Sequence, residues 1–568
     1  MINRKNTAFL FQPLAASFLA ALLFFTIVFA FFRIGYAVDD DISTISILSG
    51  YLGGLPLPFP VQSNVLLGLF LSPLYALSSG ANWMVWFYIA VNFVSVWGLV
   101  YIFASQLPDA KSKSLATLTV LLCDTYFLLN ITFTMIAAFA TLAGLCLVMT
   151  GVQSPLPLRK GLFGPGLVLV LLASLIRFKA MLLMSGLILP MLLFFIHPAR
   201  LKKQAFAFGL LAILVLGGIL FDSSYLQTSP DWAAFQKYNE VRTQLHDTPR
   251  KYNVQFDITA QVGWNRTDTK EFFNWFFPDR KTYSLENLQY LVEHIPGAQT
   301  SKVKTLSILL SALFSPVPWP YLLAIFSLGP LMLFLGVRKR ALYPLITLLL
   351  TFSVIGFYLC WTMKFPDRVL LPLLAGVAIT GLAILACSRF ESDSALLQPR
   401  HLPAAQNLYF ASLLVISGLA VALVCCQSIE TTKINIQKQV AYQQLLVDLQ
   451  DLGDRGIIAR NALIVSPAYA MPLLWANPLT INFPKVQILE MGWLTFSPAY
   501  EKALLAFDAQ PMPEALYEKK HVYLITPPQY LNGIRDYIYE HKGIHVNAAL
   551  LYQIAGTEIG LYKLQPSK

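Results

Sequence analysis

Apolar residues come in long runs with short polar breaks. Eleven runs are near the roughly 20 residues that a helix needs to cross a bilayer: 14–34, 83–104, 115–131, 133–149, 162–178, 180–196, 204–221, 320–336, 341–359, 369–387 and 408–426. The pattern predicts an all-α polytopic membrane domain. Two further apolar stretches, 61–79 and 303–319, are interrupted or ended by prolines (Pro73; Pro316, Pro318, Pro320). They read as helices lying in the interface.

Polar regions occupy 35–60, 222–302 and 427–568. In the last, a helical stripe (Ile434, Ile436, Val440, Leu445, Leu449, Leu452) precedes strand patterns at Ala462–Ser466, His521–Thr526, Leu550–Ile554 and Ile559–Leu564. Helix patterns lie at Pro498–Ala506 and Leu531–His541. The alternation predicts a small C-terminal α/β extracytoplasmic domain. The expected division is a membrane domain over 1–426, which includes outer loops 35–82 and 222–319, and the α/β domain over 427–568.

Composition agrees with this reading. Of 568 residues, 56% are hydrophobic and 12% charged, about half the usual charged share. A water-soluble globular enzyme and a disordered chain are excluded. The net charge of +11 sits in short loops: Arg4, Lys5, Lys111, Lys113, Arg159, Lys160, Arg200, Lys202, Lys203, Arg338, Lys339, Arg340, Arg389 and Arg400. These loops hold only three acids, and the rest of the chain is balanced. The bias places them on the cytoplasmic side, with the N-terminus inside and the C-terminus outside. No excess remains to call for nucleic acid. The stretch from Leu14 to Ile34 exceeds a signal-peptide core of about 7–15 residues and reads as an uncleaved span. The six cysteines lie in or beside apolar runs, so no disulfide framework is expected.

Few residues remain for chemistry. Asp39, Asp40 and Asp41 follow the first span directly. Crowded carboxylates at a membrane rim suit proton acceptance from a hydroxyl, although solvated anchoring of a loop produces the same pattern. Arg177 and Lys179, and Lys364 and Arg368, are cations at outer span ends, against the charge bias. They suit a phosphate leaving group, and lipid-headgroup contact is the plainer reading. Asp124 lies inside a span, where an acid is a functional candidate or the partner of a cation such as Arg177. His294 stands beside Glu293. HExxH, GxGxxG and P-loop motifs are absent from the sequence, which argues against a zinc protease, a dinucleotide enzyme and an ATP-driven pump. No cofactor is required by the pattern. Carboxylates beside phosphate oxygens would suit Mg²⁺ or Mn²⁺ at the acidic cluster.

An acidic pair after the first span, followed by interfacial helices and many further spans, resembles the C-type (GT-C) superfamily of polytopic membrane glycosyltransferases. Shorter stretches resemble its bacterial members: Asp40-Asp41, Ile47–Gly54, Asn64–Leu69, Leu74-Tyr75, Tyr238–Arg242 and Trp264–Asp268. The resemblance implies a membrane glycosyltransferase that takes a sugar from a polyprenyl-phosphate donor, with inversion, to a glycan, lipid or protein acceptor on the outer face. Asp40 or Asp41 would act as base or position the acceptor. An arginine near a later outer membrane end would hold the donor phosphate, with Arg177, Lys179, Lys364 and Arg368 the residues available for it. A bacterial inner membrane is implied. Two alternatives stand beside it. A polysaccharide polymerase or ligase would place arginines such as Arg242, Arg250 and Arg266 in the long loop. A transporter or flippase of lipid-linked solutes would need internal repeats and buried ionisable residues.

Overall fold

The computed structural model describes residues 4–153, 161–192, 194, 200–297, 301–335, 338–362, 365–392, 403–467, 471–554 and 556–567. The expected basic pair Arg159–Lys160, and Lys364 and Arg400, lie outside the described residues. The chain forms two compact units. One contains 1–37, 84–221 and 301–435; the other contains 38–83, 222–300 and 436–568.

The first unit is helical. Its long elements are α1 (Arg4–Phe31), α4 (Trp83–Gln106), α5 (Ala110–Leu129), α6 (Phe133–Gln153), α7 (Phe163–Leu192), α8 (Leu201–Gln227), α14 (Trp319–Leu335), α15 (Arg338–Trp361), α16 (Asp367–Ser392) and α17 (Pro403–Asp454). Among the described residues, nine helices are long and apolar enough to cross a membrane. Arg177 breaks α7 with extended backbone (φ −157°, ψ 94°), so two of the expected spans share this one helical run. Helix α14, 17 residues long, is apolar but shorter than these nine, and the end of the expected span 180–196 lies partly outside the described residues. Apolar side chains stand exposed along the helices, among them Leu23 in α1, Leu220 in α8, Val354 in α15 and Val415 in α17. Such surface is stable in lipid, where a helix satisfies its own backbone groups. The α13 helix (Lys302–Leu313) has 12 residues, too short to cross.

Small residues let these helices approach closely. A Cβ added at Gly144 of α6 would lie 2.6 Å from Val170 Cγ2, and one at Gly151 would lie 2.7 Å from the Phe163 nitrogen. The first half of α7 therefore runs antiparallel to α6. A two-residue strand, β1 (Gly35–Tyr36), pairs in parallel with β2 (Asn130–Ile131).

In the second unit, the tail forms a five-stranded sheet of order β4-β3-β5-β7-β6. The strands are β3 (Leu463–Pro467), β4 (Gln487–Met491), β5 (Val522–Thr526), β6 (Val546–Gln553) and β7 (Gly560–Pro566). Leu463 pairs with Gln487 and with Val522, both parallel, and Leu524 pairs antiparallel with Tyr562. Strands β3 and β5 are wholly buried, as continuous apolar runs require. Helices α18 (Pro498–Ala506), α19 (Met512–Glu518) and α20 (Pro528–Lys542) complete the tail.

The tail does not fold alone. Its core is continuous with α2 (Asp40–Leu48) and with the helices of 222–300: α9 (Pro230–His246), α10 (Phe256–Gln261), α11 (Arg266–Phe273) and α12 (Leu285–His294). Trp264, Phe272, Phe277 and Tyr283 are buried beside Val465, Leu524 and Tyr537 in one apolar cluster. Each such side chain contributes about 1.5–3 kcal/mol. The outer segments thus supply much of the tail's hydrophobic core. The expected boundary at 426/427 falls inside the continuous helix α17.

Candidate functional site

Two ends of the helical unit are distinguishable. A small cavity of about 50 Å³ is lined by Gln106, Cys146, Thr150, Met191 and Cys387. This gathers the C-terminal parts of α4, α6, α7 and α16. Lys111, at the start of α5, stacks 4.3 Å over the Phe410 ring. Ala207, near the start of α8, packs with Val148 and Leu167, which brings Lys202 and Lys203 to this end too.

The opposite end holds the α5–α6 connection, the break in α7 and the start of α16. Arg177 is half-buried there, its guanidinium 4.9 Å from the centre of the Phe133 ring. Lys179 follows and is exposed. Asp367 and Arg368 open α16, with Asp367 within electrostatic reach of Tyr126 near the end of α5. Ala37 donates its backbone N–H to Ile131 O at 3.2 Å. The structure therefore gathers Arg177, Lys179 and Arg368 at the end away from the lysine-rich loops. Lys364 lies outside the described residues.

Asp124 is fully buried in α5 and accepts from Asn92 Nδ2 at 2.8 and 3.0 Å. An amide partner from α4 accounts for this acid as part of the helix packing. His294 is exposed, shares a hydrogen bond with Tyr290 O at 2.8 Å and stacks on that ring, an ordinary helix-end arrangement.

In the second unit, the acidic triplet opens a helix that the sequence pattern does not announce. Asp39 is the N-cap of α2, and Asp40 and Asp41 occupy its first turn. The free N–H groups and dipole at a helix start favour negative charge. Asp39 and Asp40 are half-buried, while Asp41 has 0% exposure. These carboxylates are built into a packed segment, not a solvated loop. The chain then folds back: Leu52 N–H donates to Ser46 O at 2.8 Å and Leu57 N–H to Ile47 O at 3.1 Å. Gly50, at φ +79°, makes the turn, a conformation that costs glycine little. Helix α3 (Val65–Leu77) follows, too short to cross, its Val65 N–H donating to Asp222 Oδ1 at 2.6 Å.

Consecutive helical residues point about 100° apart, so the three acids fan out around the axis. Among the described residues, no group of three His, Cys, Asp or Glu side chains forms a metal-ligand set.

Among the polar groups in 222–300, sequence reasoning passed over Glu271 and His246, and named Asp268, Arg242, Arg250 and Arg266 only in the resemblance or the polymerase alternative. Asp268 is fully buried, caps α11 reciprocally with Asn265, and binds His541 Nε2 at 2.6 Å. That bond pushes the His541 pKa up. Glu271 is buried against Gly533, and burial raises its carboxyl to about 7. Arg242 is 1% exposed. Arg250 is tied to Ile295 O at 3.1 Å, and Arg266 lies over Phe256. The i, i+4 spacing of Arg242 and His246 amid aromatic residues was the available signal. A groove of about 440 Å³ beside α17 and β6, lined by Ile436, Val440, Asp448 and Tyr552, holds none of the expected site residues.

The apolar helices make the chain an integral, multi-pass membrane protein, with a mixed α/β unit built from its polar segments. No protein-family model and no curated protein matches it. Among solved structures, ArnT from Cupriavidus metallidurans in the apo state is similar at 11% identity over 98% of each chain, with a TM-score of 0.41.

Proposed function

We propose that the protein is a membrane glycosyltransferase that moves a sugar from a polyprenyl-phosphate donor to an acceptor hydroxyl on the extracytoplasmic face. The observation that carries this reading is α2: three consecutive carboxylates at a helix start, directly after the first span, with Asp41 fully buried. A proton acceptor must be held in place and still be reached by its hydroxyl, and Asp40 is half-buried at this helix start.

In the transfer, Asp40 or Asp41 accepts the proton of the acceptor hydroxyl. The hydroxyl oxygen attacks the anomeric carbon from the face opposite the phosphate. The bond from that carbon to the phosphate oxygen breaks, and polyprenyl phosphate leaves with the electron pair. The sugar is inverted. Arg177, Lys179 and Arg368, and Lys364 by its place in the sequence, are the cations for the developing phosphate charge. The reading places the lysine-rich end in the cytoplasm of a bacterium, with the protein in the inner membrane.

The test is product chemistry in proteoliposomes. Polyprenyl-phosphate-linked hexose and pentose donors are supplied with membrane glycolipid and glycan acceptors. The reading predicts release of free polyprenyl phosphate with stoichiometric glycosylation of one acceptor. Movement of an intact lipid-linked sugar across the bilayer, with no covalent product, would establish a flippase instead.

A further inference from the structure

Helix α9 buries a polar face. Tyr238, Arg242 and His246 recur at four-residue spacing and so line one side, with exposures of 6%, 1% and 6%. Arg242 donates from Nε and Nη2 to Asn239 Oδ1 at 3.1 and 2.9 Å, and from Nη2 to Thr243 Oγ1 at 3.0 Å and Asp247 Oδ2 at 3.4 Å. The Trp275 ring lies on both residues, its centre 4.8 Å from the guanidinium carbon and 3.8 Å from that of the His246 ring. Trp275 holds a left-handed backbone (φ +60°), rare for a bulky residue.

Three polar atoms on this face have no hydrogen-bond partner among the described residues: Tyr238 Oη, Arg242 Nη1 and His246 Nε2. Leaving such groups unmatched is costly, and apolar side chains would have packed there without that cost. Their chemistry is not uniform. His246 Nδ1 faces Asp247 Oδ1 at 3.1 Å. A carboxylate only accepts, so Nδ1 carries the proton. Burial holds the His246 pKa below its ordinary value, which leaves Nε2 as a lone-pair acceptor. Arg242 Nη1 is a charged donor, and Tyr238 Oη can donate as well. The one charge on the face itself is that of Arg242, which Asp247 meets at Nη2. Asp247 serves both Arg242 and His246 and is 42% exposed, so solvent reaches the cluster there. Arg280 acts on Tyr238 and Lys251 on His246. Arg280 has its own acid, Glu501, at 3.9 Å.

We infer that this face of α9, beneath Trp275, is a binding site for a hydroxyl-bearing oxyanion of the sugar-phosphate or uronic-acid class. The oxyanion takes the bonds of Arg242 Nη1 and Tyr238 Oη. A ligand hydroxyl donates to His246 Nε2. Water would satisfy the atoms singly, but Asp247 reaches the guanidinium only through Nη2, which leaves the charged Nη1 donor for an anion. The inference does not depend on sugar transfer, because binding is read without turnover.

The experiment is calorimetric titration of the full-length protein in detergent with glucose 1-phosphate, glucuronate, inorganic phosphate and glucose. Saturable binding of glucose 1-phosphate or glucuronate is expected, at least tenfold tighter than inorganic phosphate or glucose. The first two probes separate a phosphate from a carboxylate ligand. Arg242→Gln weakens binding at least tenfold, and Arg250→Gln leaves it unchanged. If Arg242→Gln loses its thermal transition, His246→Asn and Tyr238→Phe decide, each expected to weaken binding severalfold with the transition kept. Loss of binding on Arg242→Gln, at a residue with no part in the proposed transfer, separates this site from that chemistry. No saturable binding of either charged sugar, equal binding of glucose, or unchanged affinity in the folded variants overturns the site.

Discussion

The guanidinium of Arg177 rests 4.9 Å from the centre of the Phe133 ring, at the point where α7 breaks. The extended residue and the stacked ring fix the cation at one end of the helical unit. A cation over an aromatic face is held by about 0.5–2 kcal/mol, more when desolvated.

Arg177→Gln is expected to lower transfer by about 10²–10³-fold, the usual loss for one donor to a developing anion. Arg177→Lys recovers part of that loss, since it restores charge without the bidentate fork. Phe133→Leu, which removes only the ring, costs less than tenfold. Initial rates of polyprenyl phosphate release measure all three.

Asn92 and Asp124 form a buried pair between α4 and α5. Asn92→Leu strands the carboxyl group and lowers stability by about 1–3 kcal/mol. Replacing both, as Asn92→Leu with Asp124→Leu, restores much of it. Thermal unfolding in detergent, read as a double-mutant cycle, checks the coupling.

Close packing of α6 on α7 depends on glycine. Gly144→Leu drives a side chain into Val170 and the Gly166 carbonyl, since a Cβ alone would lie 2.6 and 2.8 Å from them. The unfolding temperature drops and monodisperse yield falls. Gly164→Leu, at a position open to surroundings, changes neither.

The α11–α20 contact is expected to tighten in mild acid. Burial raises the Glu271 pKa from 4.5 to about 7, so the folded chain keeps a proton that the unfolded chain has released. Its contribution is full below about pH 4.5, declines as pH rises and is gone above about 7. His541, raised by its bond to Asp268, contributes fully below pH 6.5 and loses that contribution as pH climbs through its folded value. Both act in one direction. Hydrogen exchange of α20 measured from pH 5 to 8 should rise beyond the intrinsic rate. Glu271→Gln should flatten the part between 4.5 and 7.

The spans were legible because apolar runs of near-membrane length leave little freedom. Even the break at Arg177 is announced by two cations within an apolar stretch. Four of five strands were legible from short apolar runs. Strand β4 was not, because Gln487–Met491 follows Pro484-Lys485 and carries Glu490 within it. Helix α2 was hidden for another reason. After its acids come Ile42, Ser43, Thr44, Ile45 and Ser46, poor helix formers, so packing against the second unit's core decides its form. That core was itself unreadable, since its aromatics come from 222–300 and its strands from 463–564. Asp40 and Asp41 stood out in sequence, but their helical setting and the burial of Asp41 did not. Arg242 stood in the sequence only as a long-loop arginine, and its grouping with Tyr238 and His246 became notable once their unmatched atoms were visible.

The account is tested most directly by transfer rates of Asp40→Asn, Asp41→Asn and the double substitution, each shown by its unfolding transition to insert and fold. Removing the proton acceptor while keeping its shape should abolish release of polyprenyl phosphate in at least one single variant and in the double, with Arg250→Ala and Arg266→Ala still active. Near wild-type turnover by both single variants and the double would contradict it.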